Sequence, residues 1–369
     1  MAKVKRCFSG IGGQAVLEGI MMKNGNKYAV AVRKPNGEIA VDVKETGAAL
    51  GDSPIKKIPL VRGVFALIES LVLGMKSLNL SAEYFDDEDS PAVKSDKAKE
   101  LSGAEQAEDA EKTGKSGNSV KKASDNLWSV FTTLLAIVIA LGVFVVLPYY
   151  LADLLNTWIR NDSLMALVEG ILRVAIFIAY VWGISLMKDI RRVYMYHGAE
   201  HKCINCIENG LSLNVTNVMK SSRQHKRCGT SFLLYVMLIS IILFFFIRTD
   251  TVWLRILLRF VMIPVVAGIS YEFIRFAGSH EGPVINALSA AGLWLQGLTT
   301  REPDESMAEV AIAAVNAVFD WKTFQENMKN PQKVEDNDEK KPAPGEEAKE
   351  ASEEKQTDKE DQPDKEEQA

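Results

Sequence analysis

Four long stretches of this chain, 127–151, 164–187, 231–247 and 252–274, are overwhelmingly apolar. A helix of about 20 apolar residues spans the hydrocarbon of a bilayer, so each stretch is expected to cross one. The third is shorter but intensely apolar, and the second and fourth are interrupted by ions. Residues 60–80 are apolar too, but Arg62, Glu69 and Lys76 recur seven apart and fall on nearly one side of a helix. That spacing predicts a helix lying on the membrane surface or packed against the crossings, with a re-entrant segment as the second reading. After the last crossing, 284–298 and 306–319 read as helices. The string Thr299-Thr300-Arg301-Glu302-Pro303-Asp304 between them has the chemistry of a fixed turn.

The first segment follows another rhythm. Residues 28–32 and 38–43 are β-prone and flank Lys34-Pro35-Asn36-Gly37, which predicts a hairpin. Upstream, Gly10-Ile11-Gly12-Gly13 suggests a tight turn. It is not completed as a phosphate loop, because no Lys-Ser or Lys-Thr follows.

Two regions lack the apolar residues needed to fold. Residues 86–123 are rich in Lys, Glu, Asp, Ser and Gly, and 330–369 repeat that character with an acidic bias, so a disordered linker and tail are expected. The expected fold is a mainly α membrane protein with about four transmembrane helices and a small N-terminal cytoplasmic region containing a β-hairpin. Its divisions are 1–58 (N-terminal α+β region), 59–85 (amphipathic or membrane-surface helix), 86–123 (linker), 124–274 (four-helix bundle), 275–329 (C-terminal cytoplasmic helices) and 330–369 (tail).

Basic residues set the orientation. The loop 188–230 holds Lys188, Arg191, Arg192, Lys202, Lys220, Arg223, Lys226 and Arg227, whereas the loops after the first and third crossings offer little beyond Arg160 and Arg248. The basic loop is therefore expected in the cytoplasm. Lys121 and Lys122 put the amino-terminal region on the same side, and an even number of crossings returns the carboxyl terminus there. A multi-pass cell-membrane location follows, with no secretory leader expected. The lipid bilayer is the expected first partner, with a homo-oligomer or a second membrane protein as further candidates. The acidic tail argues against a nucleic-acid partner. Four cysteines in a reducing compartment point to free or metal-bound thiols rather than disulfides.

That basic loop carries the candidate chemistry. His197-Gly198-Ala199-Glu200-His201 uses two of only four histidines and brackets a carboxylate in the pattern H-x-x-E-H. On a helix, residues i and i+4 share a face, so both imidazoles can reach one cation while Glu200 serves as general base toward water. Cys203, Cys206, His225 and Cys228 follow closely. They support two readings: a closed structural zinc set of Cys203, Cys206, His225 and Cys228, or an open catalytic site built on His197 and His201 with a third ligand. His225 is the first choice for that ligand, with Cys228 beside it and Glu272 as the alternative. A plainer expectation for Glu272 is an ion pair with Arg275. His280, in a Gly-rich turn, is a further candidate whose plainer reading is an exposed loop. The expected cofactor is a divalent metal, with zinc ahead of iron for imidazole and thiolate ligands.

Ions inside the crossings are a second clue. Glu169 and Arg173 lie four apart, as do Arg255 and Arg259. Such ions either clamp a bundle or line a solute or proton pathway.

The chain resembles the YqhQ-like family of bacterial membrane proteins. The resemblance is carried by Gly12-Gly13-Gln14-Ala15-Val16-Leu17-Glu18-Gly19-Ile20-Met21-Met22, Tyr196-His197-Gly198-Ala199-Glu200-His201-Lys202, His225-Lys226-Arg227-Cys228-Gly229-Thr230-Ser231-Phe232 and Leu298-Thr299-Thr300-Arg301-Glu302-Pro303. It implies a metal-dependent enzyme with no settled substrate, and a working group of His197, Glu200, His201, His225 and Cys228, with Cys203 outside the pattern. The functional expectation is a metal-dependent enzyme of the bacterial inner membrane acting as a hydrolase at the cytoplasmic face. The alternatives are a multi-pass transporter and a scaffold with a structural metal.

Overall fold

A computed structural model describes residues 8–46, 58–86, 131–155 (except 133 and 137), 158–159, 161–247, 252–280 and 282–329. The expected linker beyond Asp86, the acidic tail, Cys7, Lys121 and Lys122 lie outside the described residues. The described chain is mainly helical, with one small antiparallel sheet.

The sheet is a four-stranded meander in the order β1-β2-β3-β4, formed by Gly12–Val16, Gly19–Asn24, Lys27–Arg33 and Ile39–Glu45. The expected hairpin is its second half, where Ala31 faces Val41 and the turn closes from Lys34 N to the Glu38 carbonyl at 2.9 Å. The first half was not expected. Gly12 and Gly13 belong to β1 rather than to a turn, and Gly13 pairs with Met22 of β2. Strand β3 is buried on both faces, which explains its unbroken apolar run.

Helices cover the two faces of this sheet. On one face Val16, Met21, Tyr28, Val30 and Val32 form a core with Leu73 of α1 (Val61–Asp86), flanked by Leu80 and Tyr84. On the other lie α4 (Lys188–Glu208) and α9 (Glu305–Val318). Tyr84 donates to Asp42 at 2.8 Å, and Arg33 donates to the Ser306 carbonyl at 2.8 Å, tying both layers to the strands.

The remaining apolar helices are α2 (Leu134–Asp153), α3 (Asp162–Ile184), α6 (Gly229–Phe246) and α7 (Val252–Ser279). With α1, five helices among the described residues are long and apolar enough to cross a membrane by length and composition, one more than the sequence expectation of four. The extra one is α1, whose apolar positions outweigh its five ions, Arg62, Glu69, Lys76, Glu83 and Asp86, over 26 residues. Two of those ions are engaged: Lys23 pairs with Glu69, and Arg62 holds Glu272 of α7 by two contacts of 2.5 Å. Helix α2 contains a π-helical turn at Gly142–Val146, and Arg173 of α3 donates from Nε to the Phe144 carbonyl in that turn at 3.2 Å.

A short helix α5 (Val215–Lys220) follows α4, and α8 (Pro283–Thr299) leads to α9. Asp304 caps α9 by accepting from the Met307 amide at 2.9 Å, matching the expected turn at 299–304. A separate unit, 320–369, contains among its described residues the helix α10 (Trp321–Lys329).

Candidate metal centre

Helix α4 is buried almost throughout from Tyr196 to Glu208, and it carries the H-x-x-E-H pattern. The helical repeat brings the rings of His197 and His201 to 4.4 Å between centroids. Each ring is held by a main-chain carbonyl. Nδ1 of His197 lies 2.9 Å from the Thr299 oxygen, and Nδ1 of His201 lies 2.7 Å from the Arg223 oxygen. A carbonyl only accepts, so both Nδ1 atoms carry the hydrogen and Nε2 is the ring nitrogen left to face a ligand.

The His197 contact depends on Gly198. A β-carbon there would come within 2.1 Å of the Arg301 carbonyl oxygen. With hydrogen in its place, the 299–301 segment lies against α4, where Arg301 N donates to the Tyr194 carbonyl at 2.8 Å.

Cys228 supplies the third donor. It caps α6, where its sulfur accepts from the Thr230 amide at 3.4 Å, and it sits 3.2 Å from Nε2 of His197. One ligand atom each from His197, His201 and Cys228 falls within 4.8 Å of the others. Donors around a tetrahedral zinc stand roughly 3.3–3.8 Å apart, given metal–nitrogen and metal–sulfur bonds of about 2.0 and 2.3 Å, so these residues are compatible with such an ion. Burial alone raises a thiol's pKa. The adjacent His197 and His201 nevertheless pull Cys228 well below the thiol range. Burial likewise disfavours a charged His197, but the Cys228 sulfur lifts its pKa to about 9.

Glu200 is 4% exposed, and burial raises its pKa against the lowering effect of the two imidazoles. The Gly13 amide of β1 donates to its carboxylate. A side chain at residue 13 would crowd this approach, because a β-carbon would meet Glu200 Cγ at 3.0 Å and the Met21 carbonyl at 2.7 Å. Next to these groups lies a cavity of about 500 Å³, bordered by β1, α1, α4 and Tyr271 of α7.

Successive α4 side chains fasten the loop that leads to Cys228. Buried Lys202 donates to the Met219 and Ser221 carbonyls at 2.7 and 3.0 Å and pairs with Glu302 at 2.6 Å. Asn205 donates to the Ser222 and Gln224 carbonyls at 2.7 and 2.9 Å. Gln296 of α8 reads the His225 main chain from both sides, accepting from its N–H at 2.8 Å and donating to its C=O at 2.7 Å. These contacts hold the Arg223 carbonyl against His201.

Residues 58–321 match a family described as a protein of unknown function (DUF1385). The chain belongs to that family. It is 32% identical over 326 residues to the uncharacterized protein YqhQ of Bacillus subtilis (strain 168), an alignment that covers 87% of this chain and 95% of that protein. The motifs that suggested a YqhQ-like protein therefore mark a relationship extending over most of the sequence. No solved structure matches.

The other expected site residues are placed as follows. His225 stands beside His201, with ring centroids 5.8 Å apart, but its Nε2 faces Glu208 at 3.4 Å and it is not among the three gathered donors. Cys203 is buried, and Cys206 points its sulfur at the Leu211 and Ser212 carbonyls. Neither thiol joins Cys228. Glu272 is paired with Arg62 rather than held by Arg275 alone. His280 is exposed, stacked on Phe276 and bonded to the Phe276 carbonyl. Glu169 and Arg173 form an ion pair of 2.7 Å. The side chains of Arg255 and Arg259 lie outside the described residues.

One residue the sequence reading passed over is Glu208. It accepts from Ser9 N and Oγ at 3.0 and 2.7 Å and pairs with Arg227 and His225. Burial would raise its pKa, but these partners hold it down at about 2. Its position seven residues after His201, on the same side of α4, was the signal available.

Proposed function

We propose that this protein is a metal-dependent hydrolase of the bacterial cell membrane, in which His197, His201 and Cys228 hold one divalent cation, zinc ahead of iron. The observation that carries this reading is the matched pair of Nδ1 contacts, His197 to Thr299 and His201 to Arg223, which leaves both Nε2 lone pairs for a ligand. A third donor at 3.2 Å and an adjoining cavity add the features expected of an open site. Such a cation, when bound, supplies Lewis acidity and makes water more acidic.

Glu200 is the proposed base. Its carboxylate adjoins the donors, burial raises its proton affinity, and the Gly13 amide orients it. The surrounding helices exclude bulk solvent from this proton transfer.

Four crossings, by α2, α3, α6 and α7, suit the basic loop on the cytoplasmic side and bring both termini to that side. Helix α1 is left out because Leu73, Leu80 and Tyr84 along its later half are covered by the sheet. The Glu169–Arg173 pair, with Arg173 bonded to the π-helical turn, supports clamping of the bundle over a solute pathway.

The test uses the full chain purified in detergent and loaded with zinc, assayed against panels of chromogenic esters and peptides. A Glu200→Gln variant is expected to keep its metal and lose roughly 100-fold or more in rate. An undiminished rate in that variant would remove Glu200 as the base.

A further inference from the structure

The sheet ends at β1, which has a strand neighbour on one side only. Antiparallel pairing engages the main chain of alternate residues, and the two-residue turn closed by Val16 and Gly19 makes that pair a hydrogen-bonded one and so sets the phase. Gly13 and Ala15 therefore turn their N–H and C=O groups away from β2. Among the described residues, none of these groups takes part in a main-chain hydrogen bond outside the sheet.

The space beyond the Gly12–Gln14 part of that edge is the 500 Å³ cavity, of a size that holds a small ligand or a short peptide segment. The helices that cover the sheet continue past its edge and wall this space, α1 through Ala66 and Ser70 and α4 through His201 and Ile204. The cavity thus takes the place of a fifth strand, which would lie about 4.8 Å from β1. His197, Glu200 and Cys228 border the same space.

We propose that the substrate is an extended polypeptide segment, which adds to the free edge of β1 and so lays a peptide bond beside His197, His201 and Cys228. This rests on the hydrolase reading and names its substrate class. Main-chain pairing accounts for the edge: it satisfies the outward Gly13 C=O and the outward Ala15 N–H and C=O, which an acyl chain would leave unbonded. Gly12, where a β-carbon would meet nothing within 4 Å, leaves the approach to this edge open. In the reaction a water oxygen bonds to the peptide carbonyl carbon, and the C–N bond breaks. One proton of that water passes through Glu200 to the departing nitrogen, so the products are one carboxylic acid and one amine.

Binding tests this apart from catalysis. The detergent-solubilised full chain is titrated into a fluorescein-labelled pool of sequence-randomised decapeptides, and into the same pool with alternate backbone amides N-methylated, with fluorescence anisotropy as the readout. Saturable binding of the first pool is expected, weakened at least about ten-fold by N-methylation, which removes two or more hydrogen bonds. An Ala15→Pro variant, which removes an outward amide without breaking a bond to β2, should show the same loss with unchanged metal content. Metal measured in each preparation separates the two readings. A metal-loaded parent that binds neither pool, or both equally, overturns the docking edge and leaves the metal site. A metal-free parent that still prefers the first pool supports the edge and removes the hydrolase.

Discussion

Nδ1 of His197 lies 2.9 Å from the carbonyl oxygen of Thr299, a residue 102 positions further along the chain. That contact links α4 to the end of α8 and fixes which imidazole nitrogen is left for a ligand. The equivalent bond from His201 to Arg223 does the same from the opposite side. Both Nδ1 atoms are held by main-chain carbonyls, while the Cys228 sulfur faces Nε2 of His197 at 3.2 Å.

Cys228 and His225 should behave differently. Cys228→Ser replaces a gathered donor with a poor metal ligand, and bound zinc should fall to near background. His225→Ala leaves the three donors in place, so occupancy should be kept and affinity should drop by about 10–100-fold at most through the disturbed loop. Metal analysis after dialysis at graded free zinc distinguishes them. Equal loss in both variants would make His225 a ligand.

Gly198→Ala should destabilise the protein by about 1–3 kcal/mol, because the new methyl group meets the Arg301 carbonyl oxygen and forces the segments apart. Gly183→Ala in α3 is the control, since a β-carbon there meets nothing within 4 Å. Thermal unfolding in detergent should separate the two variants. A Gly198→Ala protein as stable as the control would contradict the close approach.

Glu208 gives the pH dependence. Its pKa is depressed from 4.5 to about 2, so the stability it contributes is fully present above the unfolded value and is lost as pH falls through the folded one. Glu208→Gln should therefore be less stable than the parent at pH 7, by roughly 3 kcal/mol or less, and the difference should shrink between pH 4.5 and pH 2. Denaturant unfolding at pH 7 and pH 3 measures it. A difference that grows on acidification would reverse the sign.

Glu169→Gln leaves Arg173 without its carboxylate beside the π-helical turn, and it should lower stability by about 2–4 kcal/mol. The double variant Glu169→Gln with Arg173→Gln should recover part of that loss. Thermal unfolding of both variants checks the coupling. Unchanged stability in Glu169→Gln would leave the clamp without support.

Much of the site's helix was readable in advance. The spacing of His197, Glu200 and His201 predicted one shared face, and Cys228 was already a candidate ligand. The helices at 284–298 and 306–319 and the hairpin turn at 34–37 were readable too, because apolar period and turn residues are local signals. The β1–β2 half of the sheet was not, since Gly12 and Gly13 have low strand propensity and are fixed by Met22 and Glu200, which lie elsewhere in the sequence. The roles of Thr299 and Arg223 were equally hidden. Both act through main-chain carbonyls, which every residue has, so no side-chain pattern could reveal them. The partners of the α1 ions were hidden for a related reason: Glu272 and Lys23, which meet Arg62 and Glu69, lie far off in the sequence.

The most direct measurement is metal per chain by mass spectrometry, on full-length protein purified in detergent from zinc-replete cells, in the parent and in His201→Ala. The account predicts close to one equivalent in the parent and a near-complete loss in the variant. A parent without metal, or a variant that retains the parent's content, would contradict it.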